Sequence, residues 1–279
     1  MSGNRHQPIV IKYGGAAMQT PALMKAVMQD IAYLKTLQLH PIVVHGGGPE
    51  ISKRCEQAGI VPQFIDGVRI TDCETMAIAQ MVLIGKINKE LVSLLNREGI
   101  RAVGISGHDG HLFLAKKCLH PSGIDLGFVG EITHVNTELL QTLMRAGYIP
   151  VIAPIAASFE IDSYNINADT AATEIALAMQ AEHLIFLTDV EGLLHDPKDP
   201  STKIDRMSGQ EVQALIDSGR LYGGMIPKIR GALEALKRGV EQVHILDGRT
   251  PHCLLLHFSG AKNLGTTFIA NEPCGMSYV

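Results

Sequence analysis

Three short apolar runs stop abruptly at polar or glycine-rich loops, and this punctuation constrains the fold more than any other feature. Ile9-Val10-Ile11 ends in Lys12, with Gly14 and Gly15 close behind; Ile42-Val43-Val44 ends in His45-Gly46-Gly47-Gly48; residues 184–187 end in Thr188-Asp189. Runs that are apolar at every position suit strands buried on both faces of a parallel sheet, whereas a half-exposed strand would alternate. Helical patterns lie between them. Thr20 and Pro21 form a cap and first turn for a helix with Leu23, Val27, Ile31 and Leu34 on one face. Alternating strand and helix predict an α/β chain with a mostly parallel sheet covered on both faces.

In an open sheet of this kind, ligands bind beyond the carboxyl ends of the strands. A lysine and bare glycine amides at such an end imply an anion, although a snorkelling lysine beside a glycine turn is the plainer alternative. Residues 46–48 feed a helix from about residue 50, so exposed amides meet a positive helix end there. His45 reads as a structural hydrogen-bonder, since nothing beside it specifies a base. Neither familiar nucleotide fingerprint is present: the chain has no G-x-x-x-x-G-K-[ST], and residues 46–48 lack the third glycine of G-x-G-x-x-G.

Thr71 with Glu74 predicts a capping box that opens a helix running to about residue 97. Gly85 in its middle costs about 1 kcal/mol relative to Ala, which marks a close approach of another backbone and a self-association surface. Arg69, just ahead of this helix, suits a surface position or an anion ligand equally. A strand is expected over residues 101–106, and then a hairpin pairing 111–117 with 127–134. His108 and His111 lie in the intervening tight turn, with no third metal ligand placed beside them. Asn136 caps a helix that Gly147 ends, and residues 149–153 make another buried strand.

Asn165, Asn167 and Asp169 crowd one helix start, more polar groups than a single cap needs. Ser208 and Glu211 predict a second capping box. Gly223-Gly224-Met225 leads into a helix whose first turn holds Lys228, a cation against the helix dipole. Strands are expected at 242–246 and 254–256, with an edge strand at 266–269.

Composition removes several classes. With 279 residues and 46% hydrophobic content, the chain can build one large domain or two lobes. A net charge of −4 without a basic block argues against nucleic acid as a partner. No apolar run approaches the roughly 18–20 residues of a membrane span. Five scattered cysteines without a C-x-x-C pair fit a reducing cytoplasm.

Taken in order, Lys12-Tyr-Gly-Gly, His45-Gly-Gly-Gly-Pro, Arg69, Asn165-Ile-Asn-Ala-Asp169, Thr188-Asp-Val-Glu-Gly and Gly223-Gly-Met-Ile-Pro-Lys228 resemble the amino-acid kinase superfamily, and within it the N-acetyl-L-glutamate kinases. The resemblance implies a three-layer αβα sandwich. Residues 1–180 would form a lobe for the acylamino acid and for dimerisation, and residues 181–279 a lobe for ATP. It implies ATP with Mg²⁺ held mainly through the phosphates, and no protein metal ligand set. Lys12 and Lys228 would stabilise the transferring phosphoryl group, with Asp169 orienting both. Gly46, Gly47, Arg69 and Asn165 would hold N-acetyl-L-glutamate. Gly14, Gly15, Thr188, Asp189, Gly223, Gly224 and Met225 would face the nucleotide. A kinase for the one-carbon-longer N-acetyl-α-aminoadipate shares these motifs, and one methylene is worth only about 1–3 kcal/mol. A catalytically silent amino-acid-sensing module is a second alternative, opposed by the retained lysines and Asp169; a nicotinamide dehydrogenase is opposed by the incomplete glycine fingerprint. In the resembling family, arginine-inhibited hexamers carry a helix ahead of the first strand. Seven residues there make at most about two turns, so the expectation is a homodimer that arginine does not inhibit.

Overall fold

The computed structural model describes residues 8–18, 20–159, 163–195, 199, 202–217, 225–261 and 264–270. The chain opens with strand β1 (Pro8–Tyr13), a 3₁₀ turn (Gly15–Met18), helix α1 (Pro21–Thr36), β2 (His40–His45) and α2 (Gly48–Gln57). A small ribbon, β3 (Phe64–Ile65) and β4 (Val68–Arg69), leads into α3 (Cys73–Gln80), a π-helical stretch (Met81–Ile87) and α4 (Asn88–Arg97). Next come β5 (Ala102–Ser106), the hairpin β6 (Phe113–Lys117) with β7 (Gly130–Val135), α5 (Thr137–Arg145) and β8 (Ile149–Ala153). The short pair β9 (Ile155–Ala156) and β10 (Tyr164–Asn165) precedes α6 (Ala168–Ala178) and β11 (His183–Thr188). The remainder is β12 (Leu193–Leu194), β13 (Lys203–Ile204), β14 (Arg206–Ser208), α7 (Gly209–Asp217), α8 (Met225–Lys237), β15 (Gln242–Asp247), α9 (Cys253–Phe258) and β16 (Gly265–Ile269).

One eight-stranded sheet organises these elements, in the order β14-β16-β15-β11-β1-β2-β8-β5. The strands from β5 to β15 pair in parallel, and β16 runs antiparallel to β15. Side chains of β1 alternate between the two faces. Val10 joins a core with Ala172, Ile175 and Ile229 of α6 and α8, while Ile9 and Ile11 join one with Ile31, Leu91 and Leu254 of α1, α4 and α9. That period of two, applied to a strand with no polar position before Lys12, produces the three αβα layers.

Three local expectations change. The helix after Arg69 starts one residue late. Asp72 caps it by accepting from Thr75 N–H at 2.8 Å, while the Thr71 hydroxyl donates to Arg69 O. It is also not uniform, because residues 81–87 widen into a π-helix, and a Cβ on Gly85 would meet open space rather than another backbone of this chain. Residues 254–256 belong to α9 and not to a strand, since buried Asp30 on α1 accepts the N–H groups of Leu254 and Leu255 and so caps that turn. Residues 266–269 are not an edge, because β14 closes the sheet beyond them.

Candidate active site

Parallel pairing puts the ends of β1 and β2 side by side, with Tyr13 opposite His45. The two glycine loops therefore meet: a Cβ on Gly14 would lie 3.2 Å from Gly46 N. This close backbone crossing borders a cavity of about 250 Å³ lined by Lys12, Gly46, Gly47, Arg69, Asn165 and their neighbours. Gly15 takes φ +61 at the start of the 3₁₀ turn, a left-handed conformation that favours glycine, and lines the same cavity.

The three glycines of the second loop are not equivalent. Gly46 N–H donates to Tyr13 O at 2.8 Å, and Gly46 O faces His45 Nδ1 at 3.0 Å, so both of its backbone groups are engaged. Gly46 therefore lines the cavity without an amide to offer, contrary to the expectation from sequence. The N–H of Gly47 meets no acceptor among the described residues, and Gly48 begins α2, where first-turn amides are open. Gly48 belongs in the candidate set and was missed, because a run of identical glycines does not say which amide is spent.

Arg69 ends the small ribbon over this cavity and is only 7% exposed. Its Nη2 donates to Gly48 O at 2.9 Å and to Ser52 Oγ at 2.8 Å, and the Phe64 ring lies 4.6 Å beneath the guanidinium. Its Nη1 is buried with no partner among the described residues. A buried donor of this kind is costly unless an acceptor arrives, and a guanidinium fork matches a carboxylate. Asn165 also lines the cavity and donates to Thr71 Oγ1 at 3.2 Å, which ties β10 to the segment just after the ribbon.

Lys12, at the end of β1, pairs with Asp169 at 2.8 Å, both groups being partly buried. The contact is an ion pair at hydrogen-bonding distance, and the Asp169 oxygen in it has no further partner among the described residues. Asn167, between Asn165 and Asp169, is the true cap of α6, accepting from Asp169 N–H and Thr170 N–H.

Lys228 lies in the first turn of α8, bordering a neighbouring cavity of about 430 Å³ that Asp169 also lines. It is not held by Asp169. Its Nζ donates to Thr188 Oγ1 at 3.1 Å and to Asp189 Oδ1 at 3.4 Å, at the end of β11. The arrangement thus brings Thr188, Asp189 and Lys228 together beside the Lys12–Asp169 pair. Gly223 and Gly224 lie outside the described residues, and Met225 starts α8. His108 accepts from or donates to Ser163 Oγ at 2.9 Å, and no group of three His, Cys, Asp or Glu suited to a metal occurs among the described residues.

Residues 7–247 match the amino acid kinase family. The acetylglutamate kinase of Symbiobacterium thermophilum is 54% identical over 266 residues, covering 94% of this chain and 91% of that protein. The acetylglutamate kinase of Caldicellulosiruptor saccharolyticus is 51% identical over 261 residues, covering 92% and 89%. Among solved structures, the N-acetylglutamate synthase of Neisseria gonorrhoeae complexed with coenzyme A and N-acetyl-glutamate superposes with a TM-score of 0.84 at 24% identity. The match covers 96% of this chain, which spans 61% of that synthase. Carbamate kinase from Giardia lamblia bound to AMP-PNP gives a TM-score of 0.69 at 17% identity, covering 95% of this chain and 99% of its own. At such identities these two structures speak to the fold alone.

Proposed function

The chain belongs to the amino acid kinase family, and we propose that its activity is that of the acetylglutamate kinases it matches. It uses ATP to phosphorylate the γ-carboxylate of N-acetyl-L-glutamate, giving an acyl phosphate for arginine biosynthesis. The observation that carries the reading is the buried, half-satisfied Arg69 in a small cavity that also presents Lys12 and the open Gly47 amide. One carboxylate of the acceptor would pair with Arg69, with Asn165 beside the acetamido group. The other would lie near Lys12 and the amides of Gly47 and Gly48. A carboxylate is ionised and nucleophilic at pH 7, so the site needs no general base.

Lys12 and Lys228 would neutralise charge on the phosphoryl group from opposite sides as it transfers. Asp169 would orient Lys12, and Asp189 with Thr188 would orient Lys228. Residues 1–180 would thus serve the acceptor and 181–279 the nucleotide, with two loops, one at Gly14 and Gly15 and one at Gly223, Gly224 and Met225, facing ATP. Mg²⁺ would accompany the nucleotide phosphates and offset their charge. Catalysis is then positioning plus charge stabilisation.

The open face at Gly85, next to Met81 with 64% of its surface exposed, supports a homodimer built on the helical run of residues 73–97. The decisive assay traps the acyl phosphate with hydroxylamine, offering N-acetyl-L-glutamate, N-acetyl-α-aminoadipate and unacetylated glutamate in parallel. ATP-dependent hydroxamate from N-acetyl-L-glutamate well above the other two is expected. Preference for the longer acid would replace the substrate, and no product from any would overturn the kinase reading.

A further inference from the structure

The end of β2 holds a buried histidine that the phosphoryl-transfer chemistry does not use directly. We propose that His45, fixed in one neutral tautomer by Asn88, is a positioning residue that sets the direction of the Gly47 amide in the active site. The inference rests on the kinase reading above.

Asn88 is the first residue of α4 and is fully buried. Two neighbours fix which way its amide faces. Its Nδ2 lies 2.9 Å from Val151 O, which can only accept, and its Oδ1 accepts from Lys89 Nζ at 3.1 Å. The atom lying 3.2 Å from His45 Nε2 is therefore the donor, and Nε2 accepts. Burial pushes the imidazole down to about 4, opposed by the Gly46 carbonyl and assisted by the charge of Lys89. A neutral ring with an accepting Nε2 carries its proton on Nδ1, so Nδ1–H donates to Gly46 O at 3.0 Å.

The consequence falls one bond further along. The Gly46–Gly47 peptide is trans, so its carbonyl and its N–H leave opposite edges of one plane. Tying the carbonyl to the ring turns the Gly47 N–H away from the ring, on the stretch that lines the cavity. Glycines have no Cβ to restrain a peptide flip, so this direction needs an external lock. The π-helical stretch and the first residue of α4 supply the two halves of it. Leu83 and Ile87 crowd Gly47 so closely that a Cβ would approach them at 2.7 and 2.6 Å, and Asn88 follows immediately to hold the ring. A reversed peptide would leave the Nδ1 proton buried without an acceptor.

Two substitutions separate positioning from filling. His45→Asn places an amide nitrogen near the Nδ1 position and can still donate to Gly46 O; His45→Gln carries its polar group out toward the Nε2 position and leaves that carbonyl unpaired. With Mg·ATP and N-acetyl-L-glutamate, His45→Asn should stay near wild-type kcat. His45→Gln should fall on the order of 10²-fold in kcat, with little change in the ATP KM and a melting temperature close to that of His45→Asn. Equal kcat in the two variants would overturn the proposal. Should either variant fail to fold, long-range proton–nitrogen-15 spectra of the unmodified protein decide between tautomers without any turnover. A His45 signal of the Nδ1–H form is expected, and the Nε2–H form would overturn the proposal. A wild-type protein inactive on N-acetyl-L-glutamate, yet showing the Nδ1–H form, would instead count against the kinase reading.

Discussion

Lys12 and Lys228 would do equivalent work on the phosphoryl group, yet the molecule holds them differently. Lys12 sits at the end of a strand buried in the middle of the sheet, 16% exposed, with its carboxylate partner at 2.8 Å. Lys228 rides the first turn of a helix, and its partner Asp189 is 3.4 Å away and 63% exposed. Beside Lys12, His45, Asn88 and Arg69 are buried, the glycine loop is half-buried at Gly46 and Gly47, and His45 bonds Asn88 while Arg69 bonds Gly48 O. Around Lys228, Thr188 is buried at the end of β11 and Asp189 is largely exposed. If the Lys12 side takes the acceptor and the Lys228 side the nucleotide, as proposed, the acceptor cavity would be built in advance, whereas the nucleotide side would rely on the anion to complete it. Burial strengthens each electrostatic contact on the first side, and solvent dilutes it on the second.

The largest test removes each lysine. Lys12→Ala and Lys228→Ala should each lower kcat by about 10²–10³, the scale of one lost preorganised donor. The contrast between the sides predicts that Lys12→Ala is the worse of the two. Single-turnover phosphoryl transfer at saturating ATP measures this directly, and near wild-type kcat in a folded variant would remove that lysine from the chemistry.

Acid should destabilise the fold through its buried histidines. The folded-state pKa of His45 is pushed to about 4 from 6.5, so between these values the unfolded chain binds the extra proton. Stability therefore falls as pH drops through that window, by up to about 3 kcal/mol from this residue. Burial also lowers His183, His244 and His257 near the β15–β16 end of the sheet, in the same direction. Urea titrations at pH 7 and pH 4.5 should show the loss, and His45→Asn should reduce it. An unchanged pH dependence in that variant would mean that His45 is not the buried neutral ring described.

Arg69→Ala comes next. Losing a charged donor pair to a carboxylate costs about 2–3 kcal/mol, which should raise the KM for N-acetyl-L-glutamate roughly 30- to 150-fold. The ATP KM should move only a few-fold. Equal damage to both constants would reassign Arg69 to the structural bond it makes with Gly48 O and Ser52 Oγ.

What the sequence made legible, and what it hid, follows the same division. The parallel sheet was readable because Ile9-Val10-Ile11 and its counterparts are apolar at every position. Asn136 and the Ser208–Glu211 box cap where their spacing says. Lys12, Gly46, Gly47, Arg69 and Asn165 line one cavity, and Asp169 and Lys228 line the neighbouring one. Errors arose wherever a distant group decides. Leu254-Leu255-Leu256 is as good a strand as a helix until Asp30, 224 residues away, takes the Leu254 N–H. Gly46, Gly47 and Gly48 are identical letters, and only the register of Tyr13 with His45 shows which amide is spent. Asp169 looked able to serve both lysines, but Thr188 and Asp189 lie within reach of Lys228. The π-helix carries no local signature beyond Gly85.

The smallest effect sharpens the comparison most, because it sets two like substitutions against each other. Asp169→Asn removes the charge that lies against Lys12 in a partly buried setting, and about a tenfold loss in kcat is expected as the ammonium loses its orientation. Asp189→Asn removes a longer, largely exposed partner from Lys228. Pairs of that kind are worth about 0–1 kcal/mol, and Thr188 Oγ1 still accepts from the same ammonium at 3.1 Å. Its ATP KM should therefore rise by no more than about fivefold, less at high salt than at low, while kcat stays near wild type. If Asp189→Asn instead matches Asp169→Asn in kcat, then the carboxylate beside Lys228 orients it as firmly as Asp169 orients Lys12. The nucleotide side would then be as preformed as the acceptor side, and the asymmetry drawn from burial would not survive.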